Sequence, residues 1–196
     1  LGLIKLTQFL TYFLAIARAP IKGLILDVGC GIGLLGDALR IYTKGEKRHF
    51  LVGVDIWLKT VRYAKSSCRY DETILCDARY LPFRANVFDF SCAIEVIEHL
   101  SKEEGFRFLK EIERVSRGTI VLTTPRKALT KGAINRQDEN IYLKHRSQWS
   151  CNELKKLGFK VRGIPRLNAL WYVLPLLLPW CLFINSENVL AYKRIK

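Results

Sequence analysis

Short apolar runs alternate with segments of helical period along this chain. Leu24 to Val28 reads as a buried strand, and Leu34 to Ile41 is apolar-periodic and reads as a helix. The pair repeats as strand Phe50–Asp55 and helix Trp57–Ser66, then as a third strand, Thr73–Asp77. Val87–Ile94 predicts a fourth strand and Glu103–Val115 a charged amphipathic helix. Gly118–Thr123 is a fifth strand, stopped by Pro125. A short helix over Trp149–Leu157 ends at Gly158, and Phe159–Ile164 and Asn188–Ile195 close the series as strands. Strands alternating with helices imply a doubly wound, mainly parallel α/β sheet.

No repeat, low-complexity tract or linker interrupts the pattern, so residues 1–196 are expected to form a single domain. Residues 1–22 predict an N-terminal helix, apolar from Leu3 to Ala17 and ended by Pro20. A cleaved signal peptide would leave the strand at Leu24 hardly any lead-in. Residues 126–147 form a polar loop carrying Arg126, Lys127, Lys131, Arg136, Lys144 and Arg146. Residues 165–185 predict an apolar lid or a membrane-facing segment. Leu167–Ile184 barely reaches spanning length, and Pro175, Pro179 and Asn168 argue against a simple transmembrane helix. Trp171, Tyr172 and Trp180 suit an interface with one wet end.

Charge sharpens this picture. The 32 Lys and Arg outweigh 18 Asp and Glu, for a net charge of +14. That balance calls for an anionic partner: nucleic acid, an acidic membrane surface or a phosphorylated substrate. The six cysteines, Cys30, Cys68, Cys76, Cys92, Cys151 and Cys181, include no C-x-x-C pair, which argues against a zinc knuckle. Cys30, Cys76 and Cys92 fall in or beside predicted strands and read as small buried hydrophobes of a reducing compartment, so the expected location is cytoplasmic, with membrane association if the apolar segment docks.

The candidate chemistry begins at Leu26-Asp-Val-Gly-Cys-Gly-Ile-Gly33. A strand, a glycine turn and a helix open a nucleotide-binding unit, because a Cβ would keep a ligand from the backbone amides. Gly31-Ile-Gly33-Leu-Leu-Gly36 also spells the dinucleotide fingerprint, and a glycine turn can equally bind nothing. The decision comes from acids at successive strand ends, where ligands of open α/β sheets lie. Asp55 can accept two hydrogen bonds from a ribose diol, Asp77 can accept from an exocyclic amine, and Asp27 can meet a charged amino group. Carboxylates suit a ligand bearing a sulfonium and an ammonium, not a pyrophosphate. Any one of these acids could instead be a helix cap.

In order, the motifs are Leu26–Gly33, Val52-Gly-Val-Asp55, Cys76-Asp-Ala-Arg-Tyr-Leu-Pro-Phe83 and Phe88-Asp-Phe-Ser-Cys-Ala-Ile-Glu95. Leu109–Val115 then precedes Thr119–Pro125. Over roughly Leu24–Val161 the chain resembles the class I S-adenosyl-L-methionine (SAM)-dependent methyltransferases of the type 11/12 kind. The resemblance implies a Rossmann-like, seven-stranded sheet with a reversed last strand, and SAM as cofactor. It puts Gly29, Gly31 and Gly33 beside the amino-acid part of the donor, Asp55 at the ribose, and Asp77 with Ala78 at the adenine. The donor-binding set it implies is completed by Asp27, Cys30, Ile56 and Glu95.

Ile94-Glu-Val-Ile-Glu-His99 supplies the catalytic candidates Glu95, Glu98 and His99, spaced so that Glu95 and Glu98, or Glu95 and His99, share a face of one helical turn. This Glu-x-x-Glu-His resembles quinone-type small-molecule methyltransferases. It also resembles small-RNA 2′-O-methyltransferases, in which these residues and a later His, here His145, bind Mg²⁺. The simpler reading is that Glu98-His99 caps the following helix and no metal binds. The expected function is methyl transfer to a small, apolar or lipid-like acceptor, with an anionic membrane surface as a further partner. The alternatives are a metal-assisted RNA 2′-O-methyltransferase and a non-catalytic SAM-binding regulatory protein. The basic loop shows no evident aromatic-interleaved platform to stack bases, which counts against RNA.

Overall fold

The computed structural model describes residues 16, 23–43, 49–125, 141–165 and 186–195. The elements in chain order are β1 (Gly23–Val28), α1 (Leu34–Tyr42), β2 (His49–Asp55), α2 (Leu58–Ser66), β3 (Glu72–Leu75) and β4 (Phe88–Ile94). There follow α3 (Lys102–Val115), β5 (Ser116–Pro125), α4 (Cys151–Lys156), β6 (Lys160–Pro165) and β7 (Ser186–Arg194). One seven-stranded sheet runs in the order β3-β2-β1-β4-β5-β7-β6. All neighbours pair parallel except β7, which is antiparallel to both β5 and β6. The reversed last strand expected from the resemblance is therefore present.

Both faces of the sheet are buried, which explains the near-continuous apolar runs. Side chains alternate across the pleat. Leu26, Val28, Val52, Val54 and Ala93 join one core with Phe108, Leu109 and Ile112 of α3 and with Trp149. Ile25, Leu51, Phe90, Cys92 and Val121 join the other with Leu35, Ala38 and Leu39 of α1 and with Ile16. Helix α3 starts at a capping box: Ser101 Oγ accepts from the Glu104 amide, and the Glu104 carboxylate accepts from the Ser101 amide.

Several sequence expectations need correction. Strand β3 stops at Leu75, so Asp77 sits in the turn after it. Strand β5 extends through Pro125, because antiparallel pairing with Asn188 of β7 continues there. Trp149 lies outside α4, whose N-cap is Ser150. Residues 1–22 are described only at Ile16, which is helical and buried. Arg126, Lys127, Lys131 and Arg136 of the basic loop, and the apolar segment Leu167–Ile184, lie outside the described residues. No helix among those described is long and apolar enough to cross a membrane. The five described cysteines are free thiols.

The parallel strands β1, β2, β3 and β4 all present their carboxyl ends on one edge. The chain leaves β1 for β2 on one side and β4 lies on the other, so a crevice opens where the strand order reverses.

Candidate functional site

A cavity of about 470 Å³ fills that crevice. Of the residues named from sequence, Gly29, Gly31, Asp55, Ile56, Asp77, Ala78, Glu95 and His99 line it. Asp27, Cys30, Gly33, Glu98 and His145 are not on its wall.

The glycine turn is held open by Asp55. Its Oδ2 accepts the Gly31 amide at 2.9 Å and its Oδ1 accepts the Trp57 amide at 2.8 Å. One carboxylate therefore ties the β1–α1 turn to the start of α2. Gly31 has φ 51°, a left-handed conformation, and a Cβ there would stand in open space facing the cavity. That gap is a cradle for a ligand at the backbone. Gly36 serves a different contact: a Cβ would lie 2.5 Å from the Arg69 carbonyl oxygen, so α1 approaches the loop before β3. The expected helix–strand role of Gly36 is thus a helix–loop one.

Asp27 is placed behind the turn rather than in it. It is 1% exposed, and its Oδ2 accepts the Tyr70 hydroxyl at 2.6 Å, with the Cys92 thiol at 3.6 Å from Oδ1. Burial pushes its carboxyl up to about 7, against the pull of those two hydrogen bonds. A carboxyl raised from 3.8 in the folded state stabilises most when protonated, so its contribution fades as pH rises from about 4 to about 7. Asp27→Asn is expected to flatten that part of the stability profile. Urea denaturation of both proteins at pH 4.5, 6 and 7.5 checks it, and parallel profiles would contradict it. Tyr70 carried no sequence signal, because its partner is 43 residues away.

Asp77 is engaged locally, accepting from the Arg79 amide and Nε, both at 2.9 Å. These bonds and the guanidinium charge, working against burial, hold its carboxyl below the usual range. Ala78 and Cys76 leave the adjoining wall apolar, which suits a planar base.

At the other end of the cavity, Glu95 is not part of a helix turn. It adopts φ 56°, and a single 3₁₀ turn, Ile97–His99, follows. The helical turn expected to put Glu95 on one face with Glu98 or His99 is therefore replaced by a left-handed residue and a tight turn. Thr123 Oγ1 donates to Glu95 Oε1 at 2.8 Å. Glu98 is buried beside the Glu95 carboxyl and the Thr124 hydroxyl, and among the described residues neither of its carboxyl oxygens makes a hydrogen bond of good geometry. Burial, then the neighbouring Glu95, pushes its carboxyl well up. The helix-cap reading of Glu98-His99 fails, since Ser101 caps α3.

His145 comes to this turn through main-chain bonds. The amides of Arg146 and Ser147 both donate to the Glu98 carbonyl, at 2.7 and 3.0 Å. The His99 and His145 rings then lie 4.9 Å apart, edge to face. Burial, and for His99 also the second imidazole, lowers both from their ordinary range, so both are neutral at physiological pH. One potential ligand atom from each of Glu98, His99 and His145 falls within a 4.8 Å cluster. Among the described residues the buried Glu98 oxygens and His99 Nδ1 make no hydrogen bond of good geometry, and a divalent cation would satisfy them together. Tyr142 and Leu143, both partly exposed, complete the cavity wall beside His99.

Residues 26–122 match the family described as "Methyltransferase domain". A probable tRNA methyltransferase 9B from Bos taurus is 38% identical over 93 residues, covering 47% of this chain and 18% of that protein. The tRNA (carboxymethyluridine(34)-5-O)-methyltransferase alkbh8 of Xenopus tropicalis is 34% identical over 103 residues, covering 52% of this chain and 15% of that protein. The matches thus span less than a fifth of either relative. Among solved structures, magnesium protoporphyrin IX methyltransferase from Synechocystis with bound SAM superposes with a TM-score of 0.65 at 16% identity, covering 98% of this chain and 82% of that one.

Proposed function

Because the chain belongs to the class I SAM-dependent methyltransferases, we propose that it transfers the methyl group of SAM to an oxygen atom of an RNA. The observation that carries the proposal is the Glu98, His99 and His145 cluster beside the cavity that holds the glycine turn and Asp55. A small apolar acceptor makes no use of a buried carboxyl clustered with two imidazoles. The similarity to tRNA methyltransferases supports RNA as acceptor, and the net charge of +14 agrees with a polyanion. The apolar or lipid-like acceptor expected from the sequence has no such support.

SAM supplies an electrophilic methyl carbon on a sulfonium. Gly29 and Gly31 offer backbone at the amino-acid end, Asp55 the ribose contact, and Asp77 with Ala78 the adenine contact. The protein's main contribution is alignment, which can supply several kcal/mol, up to about 7–11, of the barrier. A ribose hydroxyl must also lose a proton. A divalent cation held by Glu98, His99 and His145 would polarise that oxygen and lower its pKa. Glu95 lines the cavity and accepts from Thr123 at one carboxylate oxygen, and in this reading it orients the acceptor or receives the proton.

A second reading follows from the likeness to alkbh8: the acceptor is a carboxylate on a modified uridine. That oxygen is already anionic and needs no base. Labelled SAM and total RNA, with and without EDTA, separate the readings. Label stable to mild alkali and abolished by EDTA is expected. Label released by alkali as methanol would select the ester, and no label in RNA would reject RNA altogether.

A further inference from the structure

Outside the methyl-transfer cavity, an open groove runs between the turn after β3 and the outer face of α3. It is lined by Arg79, Tyr80, Leu81, Arg107, Lys110 and Glu111. Arg79 also lines the cavity, so the two depressions are joined at one side chain. Resting on the RNA reading, we propose that this groove holds the unpaired RNA strand next to the methylated nucleotide. In it one base stacks on Tyr80 and phosphates lie at Arg107 and Lys110.

Tyr80 carries the argument. It is 63% exposed, although a tyrosine ring gains by burial. The turn fixes it in place: its amide donates to the Asp77 carbonyl at 2.9 Å. The Arg79 guanidinium lies 5.9 Å from its ring centre, and the Arg107 guanidinium lies against its hydroxyl. An ordered, exposed ring flanked by two guanidinium groups is the arrangement that unpaired bases use.

The charges are disposed to receive phosphate. Arg107 and Lys110 are one turn apart on α3 and face the same way. Lys110 has no acidic partner among the described residues. Arg107 pairs with Glu103 at 2.6 Å, but the two side chains are 54% and 79% exposed. Such a pair is worth little in water and yields readily to a phosphate. The one acid in the groove is already occupied: Glu111 accepts from the Leu81 amide and from Arg114. It does not oppose a polyanion as a bare carboxylate would. Arg79, tied to Asp77 and Glu104, is the fixed corner between cavity and groove.

The test uses the whole chain and a labelled single-stranded RNA of about 20 nucleotides, longer than the roughly 4–16 that one OB fold covers. Tyr80→Ala is expected to weaken binding about ten-fold or more, while Tyr80→Phe stays close to the parent. Lys110→Ala should lower the slope of log affinity against log salt by about 0.7, one single-strand phosphate contact. SAM affinity should be unchanged in all three, since none of the residues lines the donor cavity. If the parent binds and methylates RNA while Tyr80→Ala and Lys110→Ala leave affinity and salt slope unaltered, the groove is rejected and the RNA reading stands. If the parent neither binds nor methylates RNA, both are overturned.

Discussion

Alanine at Trp149 is expected to destabilise the protein by about 3–5 kcal/mol, the largest effect of any single truncation considered. The indole is fully buried in the core beneath β1, β4 and β5. Gly105 of α3 exists to admit it: a Cβ there would lie 2.4 Å from Trp149 Cζ2. Phe106 meets the ring edge to face at 5.3 Å, and Lys102 Nζ sits 4.0 Å from its centre. Its Nε1 donates to Ser147 Oγ at 2.9 Å, and Ser147 is one of the residues that hold His145 against His99. The same substitution should therefore loosen the histidine pair. Urea unfolding measures the first effect, and methyl transfer under conditions where the variant is folded measures the second. Trp149→Phe should restore most of the packing but not the bond to Ser147. A loss below 1 kcal/mol on Trp149→Ala would contradict the packing argument.

Asp55→Ala is expected to weaken SAM binding by one to two orders of magnitude. The carboxylate accepts the Gly31 and Trp57 amides, and hydrogen bonds to a charged group are worth about 1.5–3 kcal/mol each. Without it the glycine turn loses the constraint that keeps Gly31 facing the cavity. Asp55→Asn should rescue poorly, because its amide NH₂ would confront one of the two backbone donors. Calorimetric titration with SAM checks both variants. Binding within about two-fold of the parent for Asp55→Ala would show that the turn is held by other means.

The two arguments differ in what sequence could show. Asp55 was legible, since an acid closing an apolar run before a helical pattern stands out locally. Its double bond to the turns of two different units was not, because Gly31 is 24 residues away. Trp149 read as the first residue of a helix, and nothing nearby marked it as the plug above Gly105. The Glu-x-x-Glu-His spacing was visible too, but helical periodicity placed its residues wrongly. A left-handed Glu95 and a 3₁₀ turn depend on the strand that stops beside them. Likewise the basic loop alone offered no stacking surface, whereas folding sets Tyr80 beside Arg107, far along the chain.

By itself, the sequence determined the alternation of strands and helices, the mainly parallel sheet, the glycine turn and the acids at or just past the strand ends. These are local consequences of apolar period and backbone freedom, which neighbouring residues impose on one another. Only the tertiary structure decided which acids face the cavity. It hid Asp27 behind the turn under Tyr70, buried Glu98 beside Glu95, and carried His145 to His99 on two main-chain bonds. Burial and charge at those positions are set by chains that cross the sheet, and no local pattern encodes which segment will cross where.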